Sequence, residues 1–123
     1  MKKIFIILFF FICLSANAVE KKTNFSEKVF TDAINSGKTV VINSYEVWCG
    51  TCGQQTKILH QAEKEFKDIV FLSYEQSKNK EIAQKLNIKY WTTIVVYKGN
   101  DEVARIVGQT DKETIYSAIQ KGI

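Results

Sequence analysis

The chain has 123 residues, of which 46% are hydrophobic and 24% are charged, and this composition is ordinary for one compact domain. Its formal charge is only +4, and both its lysines and its acidic residues are scattered along the chain. This distribution argues against a nucleic-acid-binding stripe and against a polybasic membrane patch.

The first 18 residues have the three parts of a secretory signal peptide. Residues 1–3 (MKK) are basic, residues 4–14 form an unbroken apolar run, and residues 15–18 (SANA) supply the small residues of a cleavage site. The apolar run is shorter than the ~20 residues of a membrane-spanning helix, so an uncleaved anchor is the weaker interpretation. We therefore expect cleavage after Ala18, a periplasmic or secreted protein, and membrane contact only through the transient signal peptide.

In chain order, a flexible leader over residues 19–24 precedes one predicted domain over residues 25–123. The predicted elements are a helix from its cap Ser26 to about Ser36, a strand over 39–45, a long helix over about 52–67, a strand over 69–74, a short helix over 80–86, two strands over 93–97 and 102–107, and a last helix opened by a capping box at Thr110 and Glu113. The first strand, the long helix and the second strand predict a parallel βαβ unit, and the last two strands predict an antiparallel hairpin. The fold class is therefore α/β, with a mixed central sheet flanked by helices.

The predicted mature chain retains two cysteines, Cys49 and Cys52, and their spacing occurs in both zinc sites and redox sites. Zinc normally requires four protein ligands, and the single histidine, His60, could not complete such a set within this chain. As a structural bridge the pair would close a very small ring, which removes little entropy from the unfolded chain. We therefore expect a redox pair and no bound metal.

The segment Trp48-Cys49-Gly50-Thr51-Cys52 lies between the first predicted strand and the long helix. In this context it resembles the W-C-x-x-C motif of the thioredoxin family, whose order of elements is similar to that predicted here over about residues 25–120. The resemblance implies a thioredoxin-like fold and a thiol–disulfide oxidoreductase that needs no cofactor. It also implies that Trp48, Gly50 and Thr51 are neighbours of the active cysteines.

The order of the two cysteines at a helix start predicts their roles. A cysteine at a helix N-terminus lies beside unsatisfied N–H groups and the positive end of the helix dipole, which favour the thiolate. We expect Cys49 to be the exposed nucleophile, and Cys52, one turn further on, to be the shielded residue that resolves the mixed disulfide.

The loop that faces the cysteines departs from the family pattern. The family usually has a cis-proline there, and the corresponding residue of this chain is Thr92. A cis peptide bond before a residue other than proline costs ~3–4 kcal/mol, so we expect a trans Trp91–Thr92 bond and a reshaped loop. Trp91, Thr92 and Thr93 are the predicted substrate groove, and the N–H and hydroxyl of Thr92 are expected near the sulfurs.

Two polar positions of the family are also changed. Asn43 occupies the place of an aspartate that often takes a proton from the inner cysteine, and Ser73 occupies the place of the lysine that often pairs with it. We interpret the two residues as a neutral hydrogen-bonded pair in the core. Proton transfer would then require water, or Glu46 if its side chain turns inward.

The neutral Gly50-Thr51 dipeptide, with Glu46 close by, favours a reductase or an exchanger of intermediate potential over an oxidase. The expected partners are disulfide-containing exported proteins and a membrane-bound electron donor, because an exported reductase needs a supply of electrons. We expect a monomer that binds no nucleic acid. A non-catalytic binding module with the same fold remains the alternative.

Overall fold

A computed structural model describes residues 21–123, and the predicted signal peptide and cleavage site lie outside these described residues. The elements are α1 (Glu27–Asn35), β1 (Thr39–Tyr45), α2 (Gly50–Glu65), β2 (Val70–Glu75), α3 (Lys80–Lys85), β3 (Thr93–Lys98), β4 (Asp101–Val107) and α4 (Lys112–Gln120). Type and order agree with the prediction for all eight elements, and β1 has the predicted limits. None of the helices in residues 21–123 is both long enough and apolar enough to cross a membrane.

The four strands form one mixed sheet in the order β2-β1-β3-β4. The β1 and β2 strands are parallel, with Val40 opposite Val70, whereas β1 with β3 and β3 with β4 are antiparallel. The predicted mixed sheet, with a parallel βαβ unit and an antiparallel hairpin, is thus confirmed. Because β1 is a central strand, the residues that follow Tyr45 lie near the middle of one end of the sheet.

The two central strands are buried on both faces, which explains their continuous apolar sequence. Alternate residues of each strand point to opposite faces, so one β1 face packs beneath α1 and α3 and the other beneath α2 and α4. The first core cluster includes Phe30, Ile42, Leu72, Tyr74 and Val95. The second cluster includes Val41, Leu59, Ile94, Ile115 and Ile119. Helices therefore cover both faces of the sheet and fix the end of β1.

The N-terminus of α1 has the predicted cap. The Ser26 side chain accepts a hydrogen bond from the Val29 N–H, and the Phe25 and Phe30 rings lie 5.5 Å apart as the expected hydrophobic staple. The helix ends before Gly37, whose φ of 74° is readily adopted by glycine.

The N-terminus of α4 differs from the predicted capping box. The N-cap is Asp111 instead of Thr110, and its carboxylate accepts a hydrogen bond of 2.9 Å from the Thr114 N–H. Both residue types can cap a helix, so the short polar run allowed either start. Hydrogen bonds from Thr114, first from its side chain and then from its backbone, lower the pKa of Asp111.

Residues 21–24, the described part of the predicted flexible leader, lie against β2. The Asn24 N–H donates to the Ser73 carbonyl at 3.0 Å, and its side-chain oxygen accepts from the Ser73 N–H at 2.6 Å. The Thr23 hydroxyl accepts from the Glu75 N–H at 3.0 Å. These contacts differ from the predicted loose leader, because the otherwise unpaired edge of β2 offers hydrogen-bonding groups that the segment satisfies.

Candidate active site

The two cysteines lie where β1 ends and α2 begins. Residues 46–49, here called the cysteine loop, turn the chain, and Cys49 is the N-cap of α2. The helix begins at Gly50, not near Cys52 as predicted, so Cys52 already lies in its first turn. Cys49 and Cys52 form a disulfide with their Cα atoms 5.3 Å apart.

The geometry around Cys49 favours an anionic sulfur. The Cys52 N–H, one of the free donors of the first helical turn, points at the Cys49 Sγ over 3.1 Å. A backbone donor and the positive end of a helix dipole both stabilise a thiolate more than a thiol. The predicted chemical setting of Cys49 is therefore present.

The exposure of the sulfurs differs from the prediction in degree. Cys49 is 6% exposed and Cys52 is 0% exposed, so the order is as expected, but Cys49 is not an openly exposed residue. Tyr45 packs with both cysteines. A substrate must therefore reach Cys49 through a small opening, and Cys52 is reachable only from within.

Two tryptophans stand beside this opening. Trp48 is 68% exposed and Trp91 is 40% exposed, and their rings meet edge to face with centroids 5.2 Å apart. Val47 and Tyr90, which precede the two tryptophans in the chain, are also exposed. Trp91 thus lies next to the residue that precedes Cys49, and its part in a substrate groove stays a prediction.

Residues 88–92, here called the threonine loop, face the cysteines without a cis peptide bond, and none occurs in residues 21–123. The predicted trans Trp91–Thr92 bond is confirmed. Thr92 has a φ of 65°, in the left-handed region that β-branched residues rarely adopt. The loop is therefore reshaped through the φ angle of Thr92.

The polar groups of Thr92 are used within the protein. Its N–H donates to the Ser44 carbonyl at 2.9 Å, and its hydroxyl donates to the Trp91 carbonyl. Its carbonyl accepts from the Gly108 N–H at 3.0 Å. The N–H and hydroxyl of Thr92 are therefore both bonded to backbone carbonyls, and their expected closeness to the sulfurs stays a prediction.

Thr93 also differs from its predicted place in the groove. Its side chain is buried, and its hydroxyl donates to the Tyr90 carbonyl at 2.6 Å. Its N–H lies 3.3 Å from the Ser44 hydroxyl oxygen. Thr93 thus supports the threonine loop from beneath, because β3 begins at this residue and directs its side chain into the protein.

The central polar residue behind the site is Gln55, which the sequence analysis did not identify. It is fully buried on α2, and its amide N–H₂ donates to the Thr92 carbonyl at 3.0 Å and to the Gln109 carbonyl at 2.9 Å. Its side-chain oxygen lies 3.4 Å from the Asn43 amide nitrogen. A signal was present, since position 55 lies on the same helix face as Cys52, Leu59 and Ala62.

Asn43 and Ser73 do not form the predicted neutral pair. They are neighbours in the register of β1 and β2, but Asn43 contacts Gln55, whereas the Ser73 hydroxyl donates to the Lys22 carbonyl. The segment that precedes α1 takes the hydrogen bonds of Ser73, which explains the difference. The buried position of Asn43 is as expected.

The Glu46 carboxylate is bonded to Ser77 and does not take the proton-transfer position that the sequence had left open for it. One of its oxygens accepts from the Ser77 N–H at 2.7 Å and the other from the Ser77 hydroxyl at 3.0 Å. Glu46 is buried, and these two bonds satisfy its charge. It therefore anchors the cysteine loop to the chain after β2.

Two cavities adjoin the site. One of about 150 Å³ lies between the N-terminal segment, the sheet and α2, with Lys21, Asn43, Thr56 and His60 in its wall. The other, of about 410 Å³, opens beside Glu46 and Trp91. His60 is exposed, and in the described chain no three histidine, cysteine or acidic side chains converge as a metal site would require.

The Thioredoxin family model matches residues 18–121 of the chain. Thioredoxin-2 of Saccharomyces cerevisiae is 30% identical over 84 residues, which are 68% of this chain and 81% of that protein. Thioredoxin of Chlamydia trachomatis is 29% identical over 96 residues, which are 78% of this chain and 93% of that protein. The solved structure of Trxlp from Edwardsiella tarda has the same fold, with a TM-score of 0.74 at 24% identity, over 77% of this chain and 94% of that one.

Proposed function

Because the chain belongs to the thioredoxin family and carries its cysteine pair at a helix start, it is a thiol–disulfide oxidoreductase, and we propose that it acts on the disulfides of exported proteins outside the cytoplasm. The observation that carries the redox chemistry is the contact between the Cys52 N–H and the Cys49 Sγ. This N–H stabilises the Cys49 thiolate, which is the form that attacks a substrate disulfide and also the form that leaves when the Cys49–Cys52 disulfide is reduced.

The proposed reaction starts from the reduced pair. The Cys49 thiolate attacks one sulfur of a substrate disulfide, which forms a mixed disulfide and releases the other substrate sulfur as a thiolate. Cys52 then loses its proton and attacks the Cys49 sulfur, which forms the Cys49–Cys52 disulfide and releases the second substrate thiolate. The substrate gains two electrons and the protein loses two, so each cycle requires an external electron donor.

The proton of Cys52 needs an acceptor in this scheme. Glu46 is bound to Ser77, and Asn43 cannot act as a base. The cavity of about 150 Å³ that Asn43 lines has room for water, since one water needs only ~10–15 Å³ of such space. Water is therefore the proposed proton carrier, which deprotonates the inner cysteine without a buried carboxylate.

The exposed surface of Trp48 and Trp91 supports the proposal that the substrates are proteins. Exposed aromatic rings beside a reactive group bind apolar side chains well, because each ring buries a large area with few rotatable bonds. We propose that they contact the residues that flank the substrate disulfide. A membrane-bound donor that returns the cysteines to the thiol state completes the cycle, as the oxidising compartment does not supply electrons.

The sequence of residues 1–18 supports the proposed export, and so does the family match, which begins only at residue 18 and leaves the preceding segment a separate role. Fractionation of the producing cells and N-terminal sequencing of the purified protein test this part. The expected protein starts at Val19 and is found outside the cytoplasm. A cytoplasmic protein that still starts at Met1 would contradict export.

The activity is tested with insulin, whose disulfides the protein should reduce in the presence of dithiothreitol. A glutathione series then gives the reduction potential, which we expect near ~−200 mV, because the dipeptide between the cysteines is neutral. A value near ~−120 mV would contradict the reductase direction. An inert disulfide in a protein that still captures partners would favour the binding module.

A further inference from the structure

The N-terminal segment, residues 21–24, brings a lysine to the cysteine end of the sheet. Its contacts pair Asn24 with Ser73 and Thr23 with Glu75, so the segment runs antiparallel to β2. Going back along the segment therefore leads toward the C-terminal end of β2, which is also the end of β1 at which the cysteine loop begins. Lys21 is placed beside that loop by this path.

The Lys21 ammonium binds the cysteine loop at three points. Its Nζ lies 2.7 Å from the Cys49 carbonyl oxygen, 3.1 Å from that of Glu46 and 3.2 Å from that of Val47. An ammonium has three N–H donors and no acceptor, so these three carbonyls satisfy it completely. A single side chain from outside the W-C-x-x-C motif thus holds together the backbone of Glu46, Val47 and Cys49.

The same contact places a positive charge close to the reactive sulfur. Bond lengths within Cys49 put its Sγ within about 8 Å of a cation that contacts its carbonyl oxygen at hydrogen-bond distance. Even this largest separation does not exceed the ~8 Å Debye length at physiological ionic strength. The charge of Lys21 therefore acts on the Cys49 thiolate without full screening by salt.

The other charged groups near the loop are arranged differently. The Glu46 carboxylate is bound to Ser77, and His60 and Glu63 line the cavity beside Lys21 at the more distant turns of α2. Lys22 also lines this cavity, and Lys89 lies with Glu46 on the wall of the other one. The charged atom of Lys21 is in direct contact with the backbone of Cys49.

We propose that Lys21 is a positioning residue of the redox site, which holds the cysteine loop and stabilises the Cys49 thiolate. The proposal rests on the proposed role of Cys49 as the attacking residue. When the Cys49 thiol releases its proton to solvent, the nearby ammonium favours the anion that remains. Because the reduced protein contains this thiolate, Lys21 also favours the reduced pair over the disulfide.

The test compares Lys21→Met and Lys21→Arg with Lys57→Met in the protein purified after export. Lys57 is an exposed cation on α2. Its replacement removes the same charge as Lys21→Met but at a position that does not contact the loop carbonyls. Iodoacetamide alkylation of the reduced protein is followed from pH 5 to 10, and equilibration with glutathione gives the relative potential. Thermal unfolding and insulin reduction are measured on the same samples.

We expect Lys21→Met to move the alkylation midpoint upward by at least ~0.5 pH unit, with about threefold slower alkylation below the midpoint. The glutathione equilibrium should shift toward the disulfide form by roughly twofold or more at alkaline pH, since the thiolate is less stable. Lys21→Arg should restore both values, because it retains the charge, and Lys57→Met should leave both unchanged.

An unchanged alkylation profile for Lys21→Met would overturn the proposal, even if the variant unfolds at a lower temperature, since that result shows a structural role alone. An equal shift for Lys57→Met would overturn it too, because net charge would then suffice. Insulin reduction by the wild-type protein distinguishes failure of this proposal from failure of the proposed function. If that protein reduces insulin, the redox function stands whatever Lys21 does.

Discussion

Two loops meet at the cysteine end of the sheet, and they are held by different means. The cysteine loop joins two regular elements, β1 and α2, which fix its two ends, and the bonds of Glu46 to Ser77 and of Lys21 to the loop carbonyls add to this support. The threonine loop is held by hydrogen bonds between the backbone of Thr92 and distant residues. The Thr92 N–H donates to the Ser44 carbonyl, and the Thr92 carbonyl accepts from Gln55 and Gly108. The reactive residues thus lie on a regular scaffold, whereas the surface opposite them depends on a specific polar network.

This difference indicates which changes each loop tolerates. A loop fixed by a strand and a helix retains its shape when a side chain within it is replaced. A loop fixed by buried polar contacts loses part of its support with each contact, since an unsatisfied buried group costs about 1–3 kcal/mol. Apart from those at the buried Glu46, substitutions in the cysteine loop should therefore alter chemistry, and those around the threonine loop should alter stability first.

The largest expected effect is chemical and separates the two cysteines. Cys49→Ala should reduce insulin no faster than buffer and form no mixed disulfide, because the attacking sulfur is absent. Cys52→Ala should also lose turnover but accumulate mixed disulfides, because nothing resolves them. Non-reducing electrophoresis and mass spectrometry measure both outcomes. Trapping by Cys49→Ala instead would reverse the assignment.

The next largest effect concerns Thr92. Proline has no N–H for the Ser44 carbonyl, and its φ near −65° cannot match the φ of 65° found here. Thr92→Pro should therefore lower the free energy of unfolding by roughly 3 kcal/mol, measured by urea denaturation. Glycine is the matched control.

Thr92→Gly removes the strain of a β-branched residue in the left-handed region, which is worth ~1–2 kcal/mol, and also removes the hydroxyl contact to the Trp91 carbonyl. The two changes largely offset each other, so we expect a stability within ~1 kcal/mol of the wild-type value. A proline variant as stable as the glycine variant would show that the loop readily adopts another geometry.

A smaller effect is expected at Gln55. Gln55→Leu fills a similar volume but removes both donors to the Thr92 and Gln109 carbonyls. We expect a loss of about 1–3 kcal/mol in the free energy of unfolding. The adjacent Gln54 is exposed on the same helix, so Gln54→Leu is the control and should change stability little. Equal losses in the two variants would contradict the role of the buried network.

The smallest effect is pH-dependent and concerns Asp111, whose helix follows the segment that supplies the Gln109 carbonyl. Hydrogen bonds from Thr114 lower the pKa of Asp111 in the folded protein, so its contribution is present above its unfolded pKa and is lost as the pH falls. Asp111→Ala should therefore be less stable than the wild type at pH 7 but not at pH 2. Asp68→Ala, at another exposed aspartate, should not show this pattern.

The cysteine loop was predictable because its signals are local. A β-branched run predicts β1, helical spacing predicts α2, and the W-C-x-x-C pattern lies between them. The φ of Thr92 was not predictable, since it depends on Ser44 and Gly108, which are distant in sequence. Lys21 gave no signal at all, because its role requires the N-terminal segment to lie along β2.

The cap of α4 and the surroundings of Asn43 show a similar limit. The sequence offered adjacent candidates, Thr110 and Asp111, and local preference alone does not decide between them. For Asn43, the aspartate–lysine pair of the family predicted Ser73 as the partner. The actual partner, Gln55, comes from α2, and only the packing of that helix on the sheet brings the two amides together.

The positions of Lys21 and Gly122 determine how the protein can be attached to a support or joined to a reporter. Residue 21 contacts the cysteine loop, whereas the Gly122 carbonyl accepts a hydrogen bond from Thr39, the first residue of β1. These two contacts lie at opposite ends of β1, whose seven residues span roughly 20 Å. A tag or tether beyond Ile123 therefore leaves the cysteines accessible to large substrates, and one placed just ahead of Lys21 would crowd them.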